Sequence, residues 1–209
     1  MERLGVPDSP ALQAAMNSRQ HRQAQAAIRA AALKALAKVS PVLDLARVDE
    51  TWPAFETGAL TIVRRFGRVS AGLAHAYYRV ARRAAGISGE PPPLQATPTT
   101  AQILAGLRAM GPLNARRQLG LGRELDDVLR TTLVNLEGVV SKYTLDHGRD
   151  VLLNAVKADS QARGWQRESS GNPCDFCAML ADRGVVHKSE AAADFESHRH
   201  CACSATPVW

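Results

Sequence analysis

The chain is poor in aromatic residues, poor in lysine and without a long apolar run. Phe, Trp and Tyr make up only 5% of its 209 residues, so thick β-layers built on ring packing are not expected. Alanine fills 35 positions instead, which favours slender helices, because alanine has the best helix propensity and little bulk to bury. Apolar residues still reach 45%, enough for a core, and this sets aside a wholly disordered chain. No stretch approaches roughly 18 consecutive apolar residues. The opening MERLGVPDSPALQAAMNSRQ also lacks a charged-then-apolar signal region. Neither a membrane span nor classical secretion is therefore expected, and a reducing cytosol is the expected place of synthesis. Also missing are G-x-S-x-G, H-E-x-x-H and a glycine-rich phosphate loop, so none of the common short catalytic signatures is present. Arginine outnumbers lysine 21 to 5, which with the alanine excess suggests a GC-rich genome.

The net charge of +6 is segregated. Residues 19–88 hold 12 Lys+Arg against 4 Asp+Glu, whereas the segments on either side are each slightly acidic. A basic surface of this kind attracts polyanions through counterion release, or docks onto an acidic protein; a solvated helix face is the plain alternative.

Ser9 to Val39 reads as an alanine-rich helix capped by Asp8 or Ser9 and stopped by Pro41, with a thin stripe of Leu12, Met16, Ile28, Leu33 and Leu36. A short connection through Asp44, Asp49 and Pro53 leads to a second helix predicted over 58–85. There Ile62, Phe66, Val69, Leu73, Ala76, Val80 and Ala84 recur at spacings of three and four. Arg64, Arg68, His75, Arg79 and Arg82 recur on another face, and no acidic residue falls between Gly58 and Gly89. GISGEPPPLQATP (86–98) breaks the helix, with the linker proper placed at 89–98. Helix restarts at Thr97 or Thr99, Gln102 being placed for a capping box with Thr99, and Gly111-Pro112 ends or kinks it. A third long helix is predicted from Arg123 toward Arg163 with a weak point at Gly148, its stripe being Leu129, Thr132, Leu136, Val139 and Tyr143. No repeat of solenoid length is present. From Gly164 the pattern turns to turn residues, short β-like runs, cysteine and histidine.

All four cysteines lie in this last part, as Cys174-Asp-Phe-Cys177 and then His198-Arg-His200-Cys201-Ala-Cys203. Two ligand pairs about 20 residues apart match structural zinc sites, and a module this small gains folding energy from a metal. The second pair is ambiguous. Cys201 and Cys203 point the same way in an extended segment and complete a four-cysteine site, whereas His198 and Cys201 clamp from a turn and leave Cys203 spare. His200 is the least favoured ligand. Buried free thiols, disulfides formed in an oxidising medium, and a redox C-x-x-C are the other readings. A Cys177–His198 nucleophile lacks an evident group to orient the histidine.

The run Trp165-x-Arg167 followed by GNPCDFCAMLADRGVVHKSEAAADFESHRHCACSATP resembles the C-terminal signature of MuF-like minor capsid proteins of tailed bacteriophages, most of all those of actinobacterial phages. The shared pattern is a C-x-x-C at the start of a short helix, a glycine-bounded turn, and a final H-x-x-C-x-C. About 45 residues carry it; the helical remainder agrees in type. The resemblance implies a protein of the portal vertex inside the head, present in few copies and in some relatives bound to DNA. Larger relatives carry a C-terminal toxin or enzyme domain, not expected here because the sequence stops at Trp209. Some relatives are described as capsid maturation proteases, a chemistry for which no constellation is evident.

The expected fold is mainly α, with long amphipathic helices followed by a small Cys/His-rich α+β module. The expected parts are a basic helical region (1–88), a Pro-rich linker (89–98), a helical region (99–163) and the MuF-like module (164–209). The expected function is that of a non-enzymatic minor head protein with structural zinc on Cys174, Cys177, Cys201, Cys203 and His198. Its expected partners are the portal, other capsid proteins and packaged double-stranded DNA, with no membrane. Arg64, Arg65, Arg68, Arg79, Arg82 and Arg83 are the expected DNA- or partner-binding side chains. A capsid protease or other cysteine-dependent enzyme, and a nucleic-acid-binding regulator, are the alternatives.

Overall fold

A computed structural model describes residues 17–93, 98–171, 173–189, 194–195 and 197–209. Helix α1 spans Ser18–Val39. Asn17 and Gln20 form a reciprocal capping box at its start, with bonds of 2.8 and 2.9 Å. The expected caps Asp8 and Ser9, and the stripe residues Leu12 and Met16, lie outside the described residues. The expected stop at Pro41 is a 3₁₀ turn, Ser40–Val42, and a second such turn follows at Leu45–Arg47.

Helix α2, Val48–Ala84, begins ten residues earlier than the sequence pattern predicts. Asp49 and Glu50 occupy its first turn, where carboxylates suit the positive end of the helix dipole. Pro53 lies in the second turn, where its ring faces the Asp49 carbonyl and the helix gives up that one backbone bond. The buried face also differs from the predicted stripe. It runs through Phe55, Ala59, Ile62, Val63, Gly67, Ser70, Ala74, Tyr77 and Tyr78, while Val69 stands 53% exposed. Close approach of a neighbouring helix selects small residues in the middle of that face, and periodicity alone gives them no weight.

Helix α3, Thr100–Arg108, starts with the expected Thr99–Gln102 capping box. The Gly111-Pro112 break is a wide π-type turn, Ala109–Leu113, in which Gly111 leaves helical geometry. A side chain there would collide with the Trp52 ring. Helix α4, Asn114–Gly120, leads into α5, Leu125–Ala158. Helix α5 ends short of the expected Arg163, at the cap residue Asp159, and passes Gly148 without a break. A Cβ at 148 would lie 2.6 Å from Ser70 Oγ and 2.7 Å from Gln25 Nε2, so the absence of a side chain here lets α1, α2 and α5 approach one another.

The C-terminal part holds β1 (Gly164–Glu168), α6 (Asp175–Asp182), β2 (Val185–His187) and β3 (Ser204–Val208). The strands form an antiparallel sheet in the order β2-β1-β3, with Trp165 opposite both Val186 and Pro207. Two apolar clusters result. The first lies among α1 to α5, around Leu36, Phe55, Val63, Ile103, Leu107 and Leu136. The second joins Tyr77, Tyr78, Leu152 and Val156 to Trp165, Phe195 and three of the cysteines. Near Gly148 the helices also meet through buried polar residues, including His21, Gln25, Ser70 and His147. The fold is thus mainly α with a small Cys/His-rich α+β end, as the sequence pattern predicts. Among the described residues no helix is long and apolar enough to cross a membrane.

Candidate metal centre

Cys174 is the N-cap residue of α6 and Cys177 sits in its first turns, so the C-x-x-C places two sulfurs at one helix end. The other ligands come from the turn before β3. There the Cys201 amide donates to the His198 carbonyl at 3.2 Å, and His200 takes a left-handed φ of 63°. His198 Nε2 lies 3.2 Å from Cys174 Sγ and 3.1 Å from Cys177 Sγ. Cys177 and Cys201 sulfurs are 3.6 Å apart. Two groups with metal-ligand spacing share Cys177: Cys174, Cys177 and His198 on one side, Cys177, Cys201 and Cys203 on the other. All four thiols are free, and the 3.6 Å separation is far beyond a bonded disulfide.

These separations fit a tetrahedral ion. Zinc–sulfur bonds of about 2.3 Å place tetrahedral sulfurs about 3.8 Å apart, with sulfur and imidazole nitrogen slightly closer. The histidine is also prepared for ligation: its Nδ1–H donates to the Arg199 carbonyl at 2.6 Å, which turns the Nε2 lone pair toward the cysteines. His200 instead packs its ring against α5 at Gly138, away from the ligand groups, in line with its low expectation as a ligand. The thiols are electrostatically unequal. A hydrogen bond from Cys203, together with the Arg149 guanidinium, holds Cys201 down at about 4, whereas burial pushes Cys177 up to about 11. The same hydrogen bond to Cys201, reinforced by burial, raises Cys203.

Sequence reasoning missed the side chains that fasten this loop to the bundle. Arg149 of α5 is 4% exposed. It donates from Nε and Nη2 to the Cys203 carbonyl at 3.1 and 2.8 Å, and from Nη2 to the Cys201 carbonyl at 3.0 Å. The same Nη2 reaches Cys201 Sγ at 3.5 Å, and Nη1 pairs with Asp146 at 2.8 Å. Asp146 is held in turn by Lys142 at 2.5 Å. Phe195 lies between two guanidiniums, with Arg167 3.8 Å and Arg149 4.9 Å from its ring centre. One turn of loop earlier, Arg199 donates to Asn135 at 2.6 Å, and Gly138 leaves room for Arg199 and His200. The available signal was an arginine and two mid-helix glycines on the inward face of α5.

The basic residues of α2 divide. Arg64, Arg65, Arg68 and Arg83 are exposed and Arg79 is half-buried. Arg82 is not on the surface, which corrects its expected place in a binding face. It pairs with Asp159 at 2.8 Å and donates to the Ser88 and Gly89 carbonyls at 2.7 Å, locking the end of α2 onto the end of α5. Its position four residues after Tyr78, which also donates to Asp159 at 2.8 Å, turns it inward.

Fold and site together define a helical protein whose small terminal module is gathered by thiols and an imidazole onto its longest helices. The chain matches the family described as VG15 protein over residues 13–209, nearly its whole length. It belongs to that family, a family of phage proteins, which points to association with the virion. No curated protein and no solved structure matches the chain.

Proposed function

We propose that this protein is a minor structural component of the phage head, seated at the portal vertex on the inner side of the capsid, in the manner of MuF-like proteins. The observation that carries this reading is the direction of the Cys/His cluster: its polar atoms are engaged with one another and with Arg149, and three of its four sulfurs sit in the apolar core. Such a cluster suits a staple better than a nucleophile. A structural zinc ion in it supplies folding energy to a module too small to hold itself together by burial alone. Phe176 and Met179, 41% and 47% exposed on α6 beside the staple, offer an apolar contact for the portal or another capsid protein.

Arg64, Arg65, Arg68 and Arg83 form the face for packaged DNA, through phosphate contacts that carry no sequence preference. The test of the whole reading is co-expression with the portal protein of the same phage, followed by purification and mass analysis. A stable complex, and the protein in purified particles, is the expected result. A protein found free in infected cells and absent from particles overturns it. An enzyme would instead lose turnover, and keep its fold, on Cys177→Ser.

A further inference from the structure

The cluster offers five ligands to an ion that takes four. Resting on the zinc reading above, we infer that Cys174, Cys177, His198 and Cys201 hold the ion, that Cys203 stays outside its coordination sphere, and that Arg149 of α5 is the positioning residue that balances the charge of this set. Geometry supplies the first part. Cys174, Cys177 and His198 form one mutually close group, and Cys201 stands 3.6 Å from Cys177, near the edge length of a zinc tetrahedron. Cys203, like Cys201, shares no close group with Cys174 or His198; what favours Cys201 is the turn in which its amide bonds to the His198 carbonyl at 3.2 Å, and the Arg149 guanidinium 3.5 Å from its sulfur.

Charge supplies the second part. Two of the four ligands, Cys177 and Cys201, are set into a core where an uncompensated charge is costly. A divalent ion with three thiolates and a neutral imidazole carries one net negative charge. Arg149 brings a guanidinium to 3.5 Å from Cys201 Sγ and so offsets the thiolate charge that it touches, within a wider group of charged side chains that includes Asp146, Lys142, Asp150 and Arg167. Arg149 does more than neutralise. It grips the carbonyls of Cys201 and Cys203 at once, which fixes the backbone that aims the Cys201 sulfur. A helix of the bundle therefore belongs to the metal centre, and loss of the ion is felt at α5.

The test uses the full chain, with zinc counted by elemental mass analysis, zinc affinity read by competition with a chromophoric chelator, and cobalt(II) substituted for its thiolate charge-transfer band. One zinc per wild-type chain is expected. Cys203→Ser is expected to keep that stoichiometry and the band intensity, whereas Cys201→Ser loses about a third of the band, one of three thiolates. Arg149→Gln is expected to weaken zinc binding roughly 10–100-fold, as outer-shell partners do, with Arg149→Lys recovering part of the loss because it restores the charge. Far-UV circular dichroism checks that the helices persist. If Arg149→Gln does not fold, Arg149→Lys decides alone: affinity equal to wild type overturns the positioning role, and a measurable loss supports it. A band diminished by Cys203→Ser but not by Cys201→Ser overturns the ligand set while leaving the zinc reading intact. A folded wild-type chain that takes up no zinc overturns both.

Discussion

The two ends of the α2–α5 pair are built from different materials. Around Phe55, Ile103, Leu107 and Leu136 the helices meet mostly through aliphatic and aromatic side chains, with Thr132 buried among them, the arrangement that hydrophobic patterning encodes. Around Tyr77, Tyr78 and Val156 the same two helices meet a sheet, three cysteines and the buried pair of Arg82 with Asp159. The first end is held by non-directional burial, which tolerates exchange of one apolar residue for another. The second is held by directional bonds whose partners lie far apart in sequence, so it fails when one partner is removed. The second end thus combines ring packing of Tyr77, Tyr78, Trp165 and Phe195 with directional bonds, which the first end lacks at its centre.

The largest effect expected from a single change falls at that second end. Arg82→Met leaves Asp159 buried without its cation and also frees the 87–89 turn, and a loss of about 3–5 kcal/mol is expected in denaturant unfolding. At the aliphatic end, Leu136→Ala is expected to cost about 3 kcal/mol through reduced burial and a residual cavity. Leu136→Met there should cost less than about 1.5 kcal/mol, and an equal cost for both would contradict the contrast between the two ends.

A smaller effect is set by pH. His21, 1% exposed and stacked on Tyr77 with ring centres 4.3 Å apart, is held down at about 4 by burial. Its folded value lies below its unfolded value near 6.5, so the unfolded chain binds the extra proton between them. The stability from a neutral His21 is complete above about pH 6.5 and is lost as pH falls toward 4, by about 2–3 kcal/mol. Asp150, held up at about 7 by burial, contributes a slope of opposite sign in that window, and His147, lowered by burial, one of the same sign, so the His21 part is read as the difference between the wild-type and His21→Phe thermal-unfolding profiles, which should shrink as pH falls toward 4.

The smallest effect on stability belongs to the exposed arginines. Changing Arg64, Arg65, Arg68 and Arg83 together to Gln should alter stability by less than about 1 kcal/mol, since surface charges contribute little. The same change should reduce the salt dependence of DNA binding by about one power of salt concentration for each phosphate that is no longer neutralised. An unchanged salt slope would remove DNA from the proposed function and leave the acidic-partner reading.

Much of the fold and of the candidate metal centre is legible in the chain, and particular residues show why. The Thr99–Gln102 box, the Gly111-Pro112 break, the buried Thr132, Leu136 and Val139 and the gathering of Cys174, Cys177, Cys201 and Cys203 with His198 all follow from rules that act over a few residues. Other features are hidden from such rules. The start of α2 escapes them because Pro53 normally ends helices, and its buried stripe because Gly67 and Ser70 look unimportant until α5 is beside them. The role of Arg82 escapes them because the repeat of arginines on α2 gives no reason to turn one inward.

Local rules are enough for the Thr99 start of α3, the break at Gly111-Pro112, the basic character of one segment and the thiol-rich module at the end of the chain. These are consequences of backbone propensity, capping and composition, each decided within one or two turns. Which charges are buried, and which partner each receives, follows from packing between distant segments. Arg149 meets the Cys201–Cys203 segment across more than fifty residues, and Arg82 meets Asp159 across 77. Such pairs depend on which helix face is desolvated, and desolvation is a property of the packed molecule.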